Sequence, residues 1–274
     1  MYAGIHFCRS RVILWFLCLL GVAALTLLGS TPALSQTIAA PASQVTVHPG
    51  TILPVVLRST ISANQARQGQ QIEGRIAQDV PLADGSKIRV GSKVQGQIVD
   101  VTPATDRAHP MLAIRFDRLQ WKGQMVPITT DLRAVAGFME VKQAGIPEEG
   151  AVEGTPSNWW VTTQVGGDSV YGVEGPVMSA EDSSERVGNS VDGGVLAQAR
   201  PKEGTKCRGA VDGNENPQAL WVFSADACGT YGISNVKISH AGRTTPVGTI
   251  VLESQKNKDV VLRNGDALLL RVIG

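Results

Sequence analysis

IAQDVPLADGSKIRVGSKVQGQIVDV, residues 76–101, is the part of the chain that most plainly declares its fold class. Asp84-Gly85 is a turn pair, and Gly91-Ser92 is a second glycine corner. Around them Ile88, Val90, Val94 and Ile98 alternate with Lys87, Arg89, Lys93, Gln95 and Gln97. A period of two sends successive side chains to opposite faces of a strand, so the stretch reads as a half-buried β-meander. Its charges fall on the solvent side, and its glycines answer to turn geometry that a side chain would strain. It identifies a scaffold rather than a site.

The same pattern continues on both sides of this stretch. TILPVVLRSTIS (51–62) is rich in β-branched residues, with Pro54 marking an edge or a strand start. QQIEGRIAQDV (70–80) places Ile72, Gly74 and Ile76 on one face. MLAIRFDRLQW (111–121) alternates through Leu112, Ile114 and Phe116, slips by one residue, and resumes at Leu119 and Trp121. Lys122-Gly123 then turns the chain into QMVPITTDL. No amphipathic helix stands out in this half.

From about residue 204 the β signals resume. ALWVFSADA (219–227) is a strand candidate leading into Cys228, followed by GISNVKISHAGRTTPVGTIVLES (232–254) and KDVVLRNGDALLLRVI (258–273). Asn264-Gly265 is the strongest short hairpin signal of the chain. The phrase VVLRNGDALLLRV also echoes KIRVGSKVQGQIVDV. Any two similar hairpins are written that way, with an internal duplication as the alternative. The expected fold is all-β, a mainly antiparallel barrel or sandwich made from residues 49–137 and 204–274. Neither half alone carries enough alternating strands for closure.

Between the halves, residues 138–203 are rich in Gly, Ser and Glu, with two apolar islands, NWWVTTQV (158–165) and SVYGVEGPV (169–177). This composition reads as a long irregular insert, partly disordered, above all at 179–192. It is also acidic: it carries 4 basic and 11 acidic residues, against 11 and 7 in residues 36–137 and 8 and 6 in residues 204–274. A net charge of +1 is far from what phosphate neutralisation demands, which sets nucleic acid aside.

The chain opens with Arg9 and Arg11, an apolar run from Val12 to Leu28, and the small-residue stretch ending Ala33-Leu34-Ser35 before Gln36. That order is the order of a secretory signal over residues 1–35, with an uncleaved membrane anchor as the alternative. Membrane contact follows only if the segment is retained. Neither Cys8 nor Cys18 is preceded by the residues of a lipoprotein processing site. Residues 36–48 read as a tether. Bacterial export to the periplasm or cell surface is the expectation. In that setting Cys207 and Cys228 read as one disulfide closing a loop of roughly 20 residues, worth about 3 kcal/mol in the chain-entropy treatment. A metal or redox pair is the competing reading, but it wants closer cysteine spacing and His partners.

No catalytic constellation emerges. His48, His109 and His240 lie in turn-like surroundings without a nucleophile or an orienting carboxylate. Gly188-Asn189-Ser190-Val191-Asp192 misses the nucleophile-elbow spacing. Asp212, Asn214 and Asn216 begin a calcium loop, but Pro217 and Phe223 replace its glycine and its bidentate Glu. No phosphate-cradling loop or dinucleotide fingerprint is present. Catalytic residues, metal ligands and cofactors are therefore not assigned. Trp159-Trp160 remains: on a strand, adjacent aromatics point to opposite faces, giving either a pin that docks the insert or a contact for a partner or ligand.

Several of these motifs carry a resemblance. Gly50-Thr51 with Pro54 and Leu57, Ile61-Ser62, Ala77-Gln78-Asp79-Val80, and Ile88 through Gly96 (IRVGSKVQG) make residues 49–101 similar to the conserved C-terminal domain of the VirB10/TrbI proteins of bacterial type IV secretion. The closing VVLRNGDALLLRV is compatible with the end of such a barrel. Val90 stands where that family's corner has proline, and Pro81-Leu82 where it has an aromatic. The resemblance implies a β-barrel scaffold of the cell envelope. The insert lacks the pair of apolar helices with which that family meets the outer membrane. The expected function is thus a free-standing, non-catalytic envelope protein that binds another protein or joins an assembly. A module for small ligands or glycans is the alternative.

Overall fold

A computed structural model describes residues 46–105, 107–148, 154, 156–201, 216–240 and 246–273. The first part of the chain supplies strands β1 (Ile52–Leu57), β2 (Ile61–Ser62), β3 (Gln71–Ile76), β4 (Val80–Pro81), β5 (Lys87–Ile88), β6 (Lys93–Thr102), β7 (Met111–Trp121), β8 (Gln124–Pro127) and β9 (Thr130–Ala136). A one-and-a-half-turn helix, α1 (Phe138–Gln143), follows. Then come β10 (Val161–Thr163), β11 (Ser169–Tyr171), β12 (Pro176–Met178), β13 (Arg186–Val191), β14 (Gly194–Ala197) and β15 (Gln218–Ala219). The last part adds β16 (Gly229–Tyr231), β17 (Val236–His240), β18 (Ile250–Ser254), β19 (Val261–Leu262) and β20 (Ala267–Val272).

Ten strands form one nearly closed, mainly antiparallel barrel-like sheet in the order β16-β9-β20-β1-β3-β6-β7-β18-β17, with β8 beside β7. β20, from the end of the chain, fills the gap between β1 and β9. The early and late segments therefore complete one sheet, as the alternation predicts. Inside lie Leu53, Val55, Leu57, Ile72, Ile76, Val94, Ile98, Phe116, Leu268 and Leu270, all buried. The slip in β7 is real: Gly96 faces Phe116 while Gln95 faces Arg118, so Asp117 is the extra residue of a bulge. Lys122 and Gly123 both have positive φ, 47° and 78°, and make the two-residue turn from β7 to β8.

The deciding stretch folds differently in detail. It is one bent hairpin, not a meander: β3 pairs with β6 and β4 with β5, and only Asp84-Gly85 reverses the chain. At Gly91 the chain merely kinks, because Ile76 exchanges backbone hydrogen bonds with Gly91 and Ser92. The same holds at Asn264-Gly265. Leu57 exchanges backbone bonds with Gly265 and Asp266, so β19 leaves to pair with β2 while β20 pairs with β1. The Asn-Gly signal marks a kink between two paired segments and not a hairpin.

These corners are equivalent. Five pairs from Ile52↔Arg271 to Val56↔Ala267 match five from Gln71↔Gln97 to Arg75↔Lys93. The ladder between β1 and β3 maps onto itself about Val56↔Arg75. Asn264 N–H donates to Thr60 Oγ1 where Val90 N–H donates to Asp79 Oδ1. The register shifts also coincide, at Leu269/Leu270 and at Gln95/Gly96. The two echoing phrases thus occupy the same place in two halves related by a pseudo-dyad. Pro54 sits in an interior strand, contrary to an edge placement; it is tolerated where the ladder to β3 gives out, its carbonyl accepting from Ala77.

The insert is the largest correction. Residues 161–197, expected to be irregular, form five short antiparallel strands, and β15 extends them to a six-stranded sheet, β10-β11-β12-β13-β14-β15. Residues 179–192 include all of β13 and the turn before it. Small residues and turn pairs make strands too short for composition to reveal, yet Val165, Val170, Val177, Val187 and Val195 alternate inward. They pack with Phe223 and Leu220 against Ile52, Ala134, Ala136, Ala267 and Leu269, the outer face of β1, β20 and β9. Of ALWVFSADA only Ala219 is in a strand; Trp221 takes φ 55°, and Phe223 forms a single bridge to Val165.

Candidate binding site

The two tryptophans do not lie on a strand. Trp159 ends a single 3-10 turn and Trp160 precedes β10. Val161 pairs with Tyr171, and the Trp160 carbonyl accepts from Gly172 N–H at 2.7 Å. Gly172 has φ 69°, and a Cβ there would lie 2.5 Å from the Asn158 carbonyl oxygen, so only glycine lets the two turns stack. The stacking gathers four large apolar side chains at one end of the second sheet. Trp159 is 72% exposed, Trp160 37%, Tyr171 41% and Val173 56%. They do not pin the insert; Val165, Val177 and Phe223 do.

Hydrogen bonds brace both ends of the β10–β11 hairpin that bears the platform. Asp168, in the turn between β10 and β11, is buried and accepts from Ala180 N–H (3.0 Å) and Ala225 N–H (2.8 Å). Burial pushes its carboxyl up, partly offset by those two bonds. Ser190 Oγ donates to the carbonyls of Gly172 and Gly175, fixing the tip that carries Val173 and Glu174. On the outer edge, Glu148 N–H donates to Val161 O, and Thr163 Oγ1 donates to Glu148 Oε1 at 2.8 Å.

A second concave feature lies where the sheets meet. A groove of about 750 Å³ runs between Asp79, Pro81, Lys87, Arg89 and Val90 on one wall and Val191, Asp192, Gly193 and Leu196 on the other. Its first wall comes from the deciding stretch, which sequence reasoning assigned to scaffold alone. Lys87 Nζ lies 2.6 Å from Asp79 Oδ2 and Arg89 Nη1 3.2 Å. Lys87 first, with the Val90 N–H, holds the Asp79 carboxyl below the ordinary value. Gln78 also lines it, buried, its Nε2 donating to Val195 O and its Oε1 accepting from the Val195 and Trp221 N–H groups.

Cys228 is half-buried before β16, its N–H donating to Tyr231 Oη at 3.0 Å. Cys207 lies outside the described residues, and so do Asp212 and Asn214; the expected pairing and the calcium-like loop fall there with them. Nearby, Arg133 reaches from β9 to the carbonyls of Ala225, Ala227 and Arg200, clamping both stems of that segment. Burial pushes its guanidinium pKa down. His48 lies in a turn whose carbonyl Thr51 bonds, and His109 Nδ1 faces Ser254 O at 3.2 Å. Among the described residues no three His, Cys, Asp or Glu side chains are grouped to hold a metal ion, and no helix is long and apolar enough to cross a membrane. Sequence reasoning found the tryptophans but missed Tyr171 and Val173, whose signal was the glycine-bounded turn Gly172-Val173-Glu174-Gly175 inside the second apolar island.

Compared with known proteins, the chain matches no family model, and no curated sequence is significantly similar to it.

Proposed function

We propose that this chain is an exported, non-catalytic protein of the bacterial cell envelope that acts by binding another protein. The observation that carries the reading is the platform of Trp159, Trp160, Tyr171 and Val173 on a fixed pair of turns. Large aromatic side chains on a rigid support bury much area at little entropic cost, and such residues dominate protein contacts. The similarity of residues 49–101 to the VirB10/TrbI C-terminal barrel supports a scaffold role, and the secretory-signal order of residues 1–35 supports export. A photo-crosslinking side chain at position 159, compared with one at exposed Met125 on the barrel, tests it in native envelopes. A discrete adduct from position 159 alone is expected; equal, diffuse labelling from both positions would contradict the reading.

A glycan- or small-ligand-binding module is the second reading. Trp159 favours it, since an open indole face also stacks on a sugar ring. A saturable change of tryptophan fluorescence with one member of a glycan panel is its expected signature, and an unchanged spectrum across the panel excludes it.

A further inference from the structure

Two exposed carboxylates lie on the segments that carry the aromatic platform. Glu148 is tied to Val161 and Thr163 at the edge of β10, and Glu174 stands beside Val173 at the tip of the β11–β12 turn. Both are exposed, and among the described residues neither is within ion-pair distance of a Lys or Arg. The surrounding segment, residues 138–203, has only four basic residues, Lys142, Arg186, Arg200 and Lys202. Three of them are engaged elsewhere. Lys142 lies over the Phe138 ring at 5.3 Å, Arg200 pairs with Glu185 at 2.7 Å, and Arg186 bonds Gly188 O and Asn189 Oδ1. Among the described residues the platform therefore offers π faces and carboxylates with no Lys or Arg paired to them.

We infer that the platform receives a Lys- or Arg-bearing segment of the partner protein, its cations stacked on Trp159, Trp160 or Tyr171 and its remaining charge met by Glu148 and Glu174. The inference rests on the protein-binding reading above and adds the chemistry of the partner. Indole faces attract cations through their quadrupole, Trp most strongly, and the attraction adds to that of nearby carboxylates. A neutral apolar partner would leave both carboxylates facing it without compensation. An acidic partner would be repelled by them.

Tetra-arginine amide is the probe, titrated into the purified full chain while tryptophan fluorescence is followed, with tetra-glutamate and a neutral oligosaccharide as parallel titrants. Saturable quenching by tetra-arginine alone is expected. Glu148→Gln and Glu174→Gln should each weaken it by about two- to fivefold, and added salt should weaken it further. Trp159→Ala should abolish most of the signal, with an unchanged melting temperature showing that the fold is intact. No response to tetra-arginine, a response to tetra-glutamate or the oligosaccharide, or a dimer by sedimentation that Trp159→Ala dissolves would each overturn the cationic partner. The readings separate cleanly: if position 159 still crosslinks an envelope protein that tetra-arginine does not displace, the protein-binding reading stands and the cationic partner falls.

Discussion

Gln78 and Val195 exchange a reciprocal pair of hydrogen bonds: Gln78 Nε2 donates to Val195 O at 3.0 Å, and Val195 N–H donates to Gln78 Oε1 at 3.2 Å. The same Oε1 accepts from Trp221 N–H at 2.7 Å. A buried side chain of the barrel thus stands in for a strand neighbour of β14 and joins the two sheets. Gly194 permits the approach, since a Cβ there would come within 2.4 Å of Gln78 Oε1.

Replacing that carboxamide should uncouple the sheets. Gln78→Leu leaves the Val195 and Trp221 N–H groups without their acceptor in the seam, while Val195 O keeps its bond from Leu220 N–H, at a cost of about 2–4 kcal/mol. Denaturant unfolding should show the loss, with protease sites within 161–197 opening before those of the barrel. Unchanged stability and digestion would show that apolar packing of Phe223 and Leu220 alone holds the second sheet.

The barrel should need both ends of the chain. Without β20, β1 and β9 lose the strand between them, and Leu268 and Leu270 leave the core. A chain ending at residue 203 should show no cooperative transition by near-ultraviolet dichroism. A transition as stable as that of the whole chain would refute the two-part barrel.

Much of this was legible in sequence, and the misses have physical causes. Alternation exposed β3, β6 and β7 because each has one face in the core and one in water. In β3 and β6 the outer face carries Glu73, Arg75 and Lys93, paired at 2.9 and 3.4 Å. In β20 the run Ala267-Leu268-Leu269-Leu270 does not alternate, because the second sheet covers its outer face. Such continuous apolar writing is the mark of a strand buried on both sides, a signal of a second layer that the reading of the run as a hairpin left unused. The six-stranded sheet itself stayed hidden because three-residue strands are too short for periodicity, and polar residues fill their outer face. Of the platform, the tryptophan pair was visible, but its exposure depends on Gly172 and Ser190, which act through backbone geometry.

Two buried carboxyls should give stability an acid-side bias. Burial raises the pKa of Asp168 and of Asp266, which accepts from Arg263 and Phe138 N–H groups, above the ordinary 3.8. As pH rises past 3.8 the unfolded chain loses these protons first, so the folded state holds more protons and stability falls until the raised pKa values are passed. Asp79 works the other way: its lowered pKa contributes stability above 3.8 that is lost as pH falls through the folded value. Urea unfolding from about pH 4 to 7 should therefore show a shallower fall in Asp168→Asn than in the parent chain. Identical slopes would contradict the assignment.

The cysteine pair predicts a redox dependence. Non-reducing peptide mapping should link Cys207 to Cys228, and reduction should lower the unfolding free energy by about 3 kcal/mol. Alkylation of both thiols in the native, oxidised preparation would rule the disulfide out.

If Trp159, Trp160 and Tyr171 bind a protein partner, the chain should lose that partner when the tryptophans are removed. The measurement is affinity capture of the full chain from native envelopes, read by quantitative mass spectrometry beside the Trp159→Ala/Trp160→Ala chain. A discrete partner retained by the parent and depleted about tenfold or more by the double substitution is expected, as the loss of hot-spot aromatics implies. The same partners in equal amount with both chains, or the chain alone in each, would contradict it.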